Sequence, residues 1–265
     1  MNDSNEIVEE MMEGMIVAHS ELIERVPKTG IIRRKAEKTG KVGIVSGGGS
    51  GHEPSHAGFV GEGMLSAAVC GAVFTSPTPD QILEAIKVAD EGAGVFLIIK
   101  NYSGDIMNFE MAQELAEMED IEVDSIVVDD DVAVEDSLFT QGKRGVAGTI
   151  LVHKILAYAA QQRKSIKEIK KLAEELVPNI KSIGLALSGV TTPGGSQASF
   201  TLGKDEIEYG VGIHGEPGYR REKLQSSYDL ADELLKKLAG EFDTTKRFAV
   251  IINGLVGTPL MEQYV

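Results

Sequence analysis

The sequence predicts an α/β protein: a mostly parallel sheet flanked by helices, followed by a second α/β unit. Three observations carry that prediction. Apolar runs of strand length alternate with stretches of helix length, the pattern of a sheet with helices on both faces. The run Gly94-Val95-Phe96-Leu97-Ile98-Ile99 is apolar without interruption, as a strand covered on both faces must be. Glycine-rich or acidic segments then follow the runs directly, at the sheet edge where open α/β folds bind small molecules.

In chain order, residues 5–18 read as an amphipathic helix, with Ile7, Val8, Met11, Met12, Met15 and Ile16 on one face and acids opposite. Residues 42–45 are a short buried strand leading into a glycine loop, Gly47-Gly48-Gly49-Ser50-Gly51, whose backbone can approach a ligand because no Cβ intervenes. Thr78-Pro79-Asp80-Gln81 starts a helix that runs to about residue 90, with threonine as N-cap, proline at the first position and glutamine at the third. The strand 94–99 gives way to a polar turn at 100–105. The next helix carries Phe109, Met111, Ala112, Leu115 and Met118. A strand at 125–128 ends in Asp129-Asp130-Asp131. Residues 145–160 form an apolar helix and 165–177 an amphipathic one, with Pro178 just beyond its end.

The first domain is placed at 1–180 and the second at 181–265. The second should hold strands at 183–187, 207–213 and 248–252, a loop at 192–196 and a helix around 230–238. Thr258-Pro259-Leu260-Met261-Glu262 is a fresh helix start, but the chain ends at Val265. So short a helix needs packing partners, so the second unit is expected to be truncated at its C-terminus.

Composition narrows the function. A formal charge of −15 argues against nucleic acid or an anionic membrane as the main partner, since both call for clustered cations. A single cysteine, Cys70, excludes an intrachain disulfide. No apolar segment reaches the roughly 20 residues of a membrane span, and the acidic N-terminus is not a signal peptide. The expected compartment is the cytoplasm.

Several side chains are candidates for chemistry. His52-Glu53-Pro54-Ser55-His56 spells the HExxH zinc pattern, but that motif works only inside a helix. Pro54 puts His52 outside any helix, so no metal site is expected. The glycine loop lacks the Gly-Lys-Ser/Thr of a P-loop and does not fit GxGxxG. Asp105 is either a general base or acceptor beside the glycine loop, or the N-cap of the helix that follows. Lys100, at the strand's end, is otherwise a snorkelling surface lysine. Three adjacent aspartates cannot all face one ion, so 129–131 reads as a turn with one residue capping the next element. His214 stands between glycines at a strand end with room around it, the best functional choice among the remaining histidines. His19 and His153 default to surface or packing, and Cys70 to a small buried hydrophobe.

Read together, the motifs resemble a known family. Ser46-Gly47-Gly48-Gly49-Ser50-Gly51-His52-Glu53-Pro54, Gly63-Met64-Leu65-Ser66, Phe74-Thr75-Ser76-Pro77-Thr78-Pro79-Asp80, Ile98-Ile99-Lys100-Asn101-Tyr102-Ser103-Gly104-Asp105, Val127-Val128-Asp129-Asp130-Asp131-Val132 and Gly210-Val211-Gly212-Ile213-His214-Gly215-Glu216-Pro217-Gly218 are similar, in order, to the dihydroxyacetone-binding subunit of dihydroxyacetone kinases of the phosphotransferase-system-dependent type.

The resemblance implies that His214 captures the ketone of dihydroxyacetone as a covalent hemiaminal, which requires a neutral imidazole. It implies that Gly49, Ser50, Gly51 and His52, with Lys100 and Asp105, hold the substrate's oxygens. His52 would be the proton acceptor and Asp105 the orienting group or partner base. It further implies no cofactor in this chain, with ADP or ATP and Mg²⁺ on a separate nucleotide-binding kinase subunit served indirectly by a phosphotransferase-system phosphocarrier. A homodimer is also implied. The alternative is a non-catalytic dihydroxyacetone-binding coactivator that signals to a transcription factor; a zinc hydrolase is a remote third class.

Overall fold

The computed structural model describes residues 2–135, 140, 142–195, 198–255 and 258–265. Their elements run α1 (Ile7–Ala18), β1 (Ile23–Arg25), β2 (Ile31–Arg34), β3 (Gly43–Ser50), β4 (Ala67–Val73), α2 (Pro79–Ala89), β5 (Val95–Lys100), α3 (Ser103–Glu117), β6 (Val123–Val128), α4 (Thr149–Gln161), α5 (Ile166–Leu176), β7 (Leu185–Ala186), β8 (Glu206–Tyr209), β9 (Arg220–Lys223) and α6 (Ser227–Ala239). The first six strands form one sheet in the order β1-β2-β4-β3-β5-β6. Strands β4, β3, β5 and β6 are parallel, and β2 and β1 extend the sheet antiparallel at one edge.

Alternation along the central strands makes three layers. On β5, Phe96 and Ile98 pack with α1, α4 and α5, whereas Val95, Leu97 and Ile99 pack with α2 and α3. All five side chains are buried, each worth roughly 1.5–3 kcal/mol of transfer free energy. The capping box on Thr78 forms as the sequence predicts, and so does a second on Ser165 with Glu168.

The glycine segment differs from the sequence expectation. The strand at 42–45 does not stop before the glycines; β3 continues to Ser50, and Gly47, Gly48 and Gly49 pair with Val69, Cys70 and Gly71 of β4. Glycine's low strand propensity hid this, because the ladder and close packing decide it instead. A Cβ at Gly47 would stand 2.8 Å from the Val69 carbonyl oxygen, and one at Gly49 2.7 Å from the Phe74 carbonyl carbon. The register slips between Gly49 and Ser50, and the turn starts at Gly51. Strand β4, rich in alanine, escaped the sequence pattern through weak propensity, and β1 and β2 because three and four residues are too few to show a period.

The 129–131 segment behaves as a turn and cap. Asp130 accepts from Val146 N and Gly148 N, both at 2.8 Å, and α4 begins at Thr149 rather than at 145. On α3, Phe109 and Ala112 are buried, Met111 lies in solvent, and so does Met118 at the helix's C-cap.

Strands β7, β8 and β9 form a separate antiparallel sheet. The strand expected over 183–187 is only two residues long. That expected over 207–213 ends at Tyr209, because Gly210 turns out of the sheet with φ +76°. No strand forms at 248–252; Val250 and Ile252 are exposed, and among the described residues no neighbouring strand offers a ladder. The loop at 192–196 is a turn through 195, closed by Gly195 N donating to Thr192 O; Ser196 lies outside the described residues.

Candidate functional site

Parallel pairing brings the carboxyl ends of β3, β5 and β6 to one edge of the sheet, and the functional side chains collect there. Beyond β3, Ser50 turns its hydroxyl inward to donate to Gly71 O at 2.7 Å, which leaves only its backbone towards the site. Gly51 N donates to the Glu53 carboxylate at 3.0 Å. His52 follows and stacks on Phe74, ring centroids 4.8 Å apart and planes 17° from parallel. Phe74 sits in the left-handed region at φ +52°, uncommon for a bulky residue and costing on the order of 1 kcal/mol or more. Its N–H donates to Ser50 O at 2.9 Å, so the strained residue is anchored where its ring forms the floor under His52.

At the end of β5, Lys100 and Asp105 are both buried, 4% exposed each. A Cβ on Gly48 would lie 3.5 Å from Lys100 Nζ and 3.5 Å from Asp105 Oδ2, so cation and carboxylate converge over the bare backbone of β3. The Ser76 hydroxyl donates to Asp105. Asp105 is not a cap: Tyr102 holds the N-cap position of α3, and the carboxylate sits in the first helical turn. Nor does Lys100 snorkel to the surface. Burial lowers the Lys100 ammonium, opposed by Asp105, Glu216 and Asp130, and raises the Asp105 carboxyl, opposed by Lys100 and Ser76.

The turn that follows β8 completes the cluster. His214 lies 4.7 Å from the His52 ring, 4.8 Å from Tyr102 and 5.4 Å from Phe74, each contact edge-on. Glu216 fixes it: one carboxylate oxygen accepts from His214 N at 2.9 Å and the other lies 3.1 Å from Nδ1. Burial alone would raise the Glu216 carboxyl, but the hydrogen bonds from His214 outweigh it and hold it below the ordinary value. An ionised carboxylate only accepts, so Nδ1 carries the proton and, in the neutral ring, Nε2 keeps its lone pair. Burial, then the charge of Lys100 and the neighbouring His214, push His52 down to about 2, so its imidazole stays uncharged.

Four expected residues therefore meet here, His52, Lys100, Asp105 and His214, while Gly49 lies next along β3 to Gly48, over which the lysine and aspartate converge. Ser50 ends β3 and Gly51 opens the turn, with the Ser50 hydroxyl and the Gly51 N–H already engaged. His52 and His56 diverge: His56 is buried against His153 at 5.1 Å, with Ser46 Oγ 3.3 Å from its Nδ1. His153 is core packing, as expected, and Cys70 is buried. Phe74, Ser76, Tyr102 and Glu216 were not singled out from the sequence as site residues. For Glu216 a signal existed, a carboxylate two residues from a glycine-flanked histidine. Among the described residues, no helix is long and apolar enough to cross a membrane.

Fold and site together define an α/β protein whose sheet edge carries two facing histidines beside a buried lysine and aspartate. The Dak1 domain model matches residues 13–265, and the chain belongs to that family. It is 63% identical, over its full length and 80% of the relative's, to the dihydroxyacetone-binding subunit DhaK of the PTS-dependent dihydroxyacetone kinase of Lactococcus lactis. It is 46% identical to the DhaKLM operon coactivator DhaQ of the same organism, over 99% of this chain and 81% of that one. The crystal structure of the dihydroxyacetone kinase of C. freundii superposes with a TM-score of 0.93 at 38% identity, covering 100% of this chain and 49% of that one.

Proposed function

We propose that this chain is the dihydroxyacetone-binding subunit of a phosphotransferase-system-dependent dihydroxyacetone kinase, a cytoplasmic homodimer that presents substrate to a nucleotide-binding partner subunit. The observation that carries the reading is His214, held by Glu216 and facing His52 at 4.7 Å beside Lys100 and Asp105. Identity of 63% to a subunit of that name supports it. Residues 1–180 supply the sheet edge and residues 181–265 the covalent histidine.

In this reading His214 Nε2 donates its lone pair to the carbonyl carbon of dihydroxyacetone. The C=O π electrons move to oxygen, which takes a proton from solvent water and becomes a hydroxyl, leaving the ring positively charged. Glu216 faces the Nδ1–H and balances the positive charge that develops on the ring. This is an addition with no leaving group. Glycerol, having no carbonyl, is refused. Backbone from Gly49 to Gly51, Lys100 and Asp105 hold the oxygens, and anchoring one carbon fixes the terminal hydroxyl for transfer. His52, uncharged, accepts that hydroxyl's proton while Asp105 orients it. ADP or ATP and Mg²⁺ belong to the partner subunit, and the phosphocarrier acts on that partner.

Intact-mass measurement of the native protein with dihydroxyacetone should show a gain of one whole substrate molecule, absent with glycerol and absent in His214→Ala. An unchanged mass in the unsubstituted protein would reject the covalent step. The coactivator reading is favoured by the likeness to DhaQ. It predicts the same adduct but no phosphate on dihydroxyacetone when the nucleotide-binding subunit is supplied.

A further inference from the structure

We infer that Arg144 is a positioning residue for His214, acting through the Gly210–Glu216 turn; this rests on reading His214 as the group that captures the ketone. Arg144 is fully buried, an uncommon place for a guanidinium, and its charge is met by Asp131, with Nε donating to Oδ2 at 2.8 Å and Nη2 at 2.6 Å from the same oxygen. Burying such a pair carries a desolvation penalty that the attraction between the charges often only repays, so stability is a weak reason for its presence. Its geometry offers a better one. Nη2 also donates to Gly210 O at 2.6 Å, so a side chain from the segment after β6 grips the turn that carries His214.

The third nitrogen, Nη1, is buried without a hydrogen-bond partner and lies against the same turn. A Cβ on Gly212 would stand 2.6 Å from Nη1 and would overlap the Glu216 carboxylate. Guanidinium and carboxylate therefore close on one bare Cα from two sides, and only glycine leaves them room. Gly212 N donates to Glu216 O at 3.0 Å and closes the turn. The chain of contacts runs from Asp131 through Arg144 and the turn to Glu216, and from Glu216 to His214 Nδ1. Arg144 touches neither reacting atom. It fixes where the carboxylate stands, and the carboxylate fixes the ring's orientation and tautomer.

The test uses the full chain with ¹⁵N-labelled histidine. The unsubstituted protein is expected to show His214 protonated at Nδ1. In Arg144→Lys the charge beside Asp131 is kept, but one ammonium cannot hold Asp131 and the Gly210 carbonyl in a fork. In Arg144→Met with Asp131→Leu both charges are gone, a replacement that buried pairs commonly survive. Both variants should lose the pure Nδ1–H signature and capture dihydroxyacetone slower by on the order of 100-fold, the cost of a small misplacement. Ring shifts and capture rate unchanged in either folded variant, or no Nδ1–H signature in the unsubstituted protein, would overturn the inference. An Nδ1–H signature without any adduct would instead reject ketone capture, and the ring shifts of the variants would still decide the role of Arg144.

Discussion

Asp105 concentrates the chemistry of single residues. Desolvation raises its carboxyl while Lys100 and Ser76 oppose the rise, so the group is a stronger base than a surface aspartate yet still tied to a cation. Asp105→Asn keeps the shape and removes the negative charge. In the proposed mechanism the covalent bond is made by His214, so Asp105→Asn should still form the adduct. Phosphoryl transfer in the complete system should fall by on the order of 10²–10⁴, the span of a lost acid–base or orienting group. Turnover equal to the unsubstituted enzyme would take Asp105 out of the mechanism. This residue was legible in the sequence because a carboxylate follows the most apolar strand within one turn. Phe74 was not, since nothing in its own segment announces that a left-handed backbone aims its ring under His52.

Among the elements, β3 shows why a glycine run can be a strand. Strand β4 supplies the ladder for Gly47–Gly49 on one side, β5 pairs only as far as Ser46, and the absence of side chains lets Phe74 and the bond to Thr75 approach. Gly49→Ala should therefore destabilise the fold by about 1–3 kcal/mol, as overpacking does, and should move the turn that carries His52. Gly14 is the control: it lies inside α1 with nothing within 4 Å of an added Cβ. Gly14→Ala should stabilise by about 0.5–1 kcal/mol through helix propensity. Urea denaturation of the two variants checks the opposite signs. The apolar strand β5 and the capped helices α2 and α5 were readable because propensity, periodicity and caps agree there. Strands β1, β2 and β4 and the glycine end of β3 owe their state to tertiary pairing, which a single chain's local pattern does not record.

Over the whole molecule, buried neutral imidazoles couple the fold to pH. Burial holds His153 down at about 3 and His56 well below its ordinary value, each further lowered by the charge of Lys100. Both ring nitrogens of His153 and Nε2 of His56 are buried without a hydrogen-bond partner. In the unfolded chain these rings take up protons below about pH 6.5; in the folded chain they do not until far lower. Their contribution is thus complete above about 6.5 and is lost as pH falls towards 3. Asp105, Asp130 and Asp131, all raised by burial, work in the opposite sense above their ordinary value, so the raw stability profile mixes two signs. A difference between variants separates them. His153→Leu fills a similar volume and removes one titrating group, so its stability relative to the unsubstituted protein should improve by about 2 kcal/mol from pH 7.5 to pH 5.0. Parallel urea curves for the two proteins at both pH values would mean that the ring is protonated within the fold, and the neutral core around helix α4 would have to be abandoned.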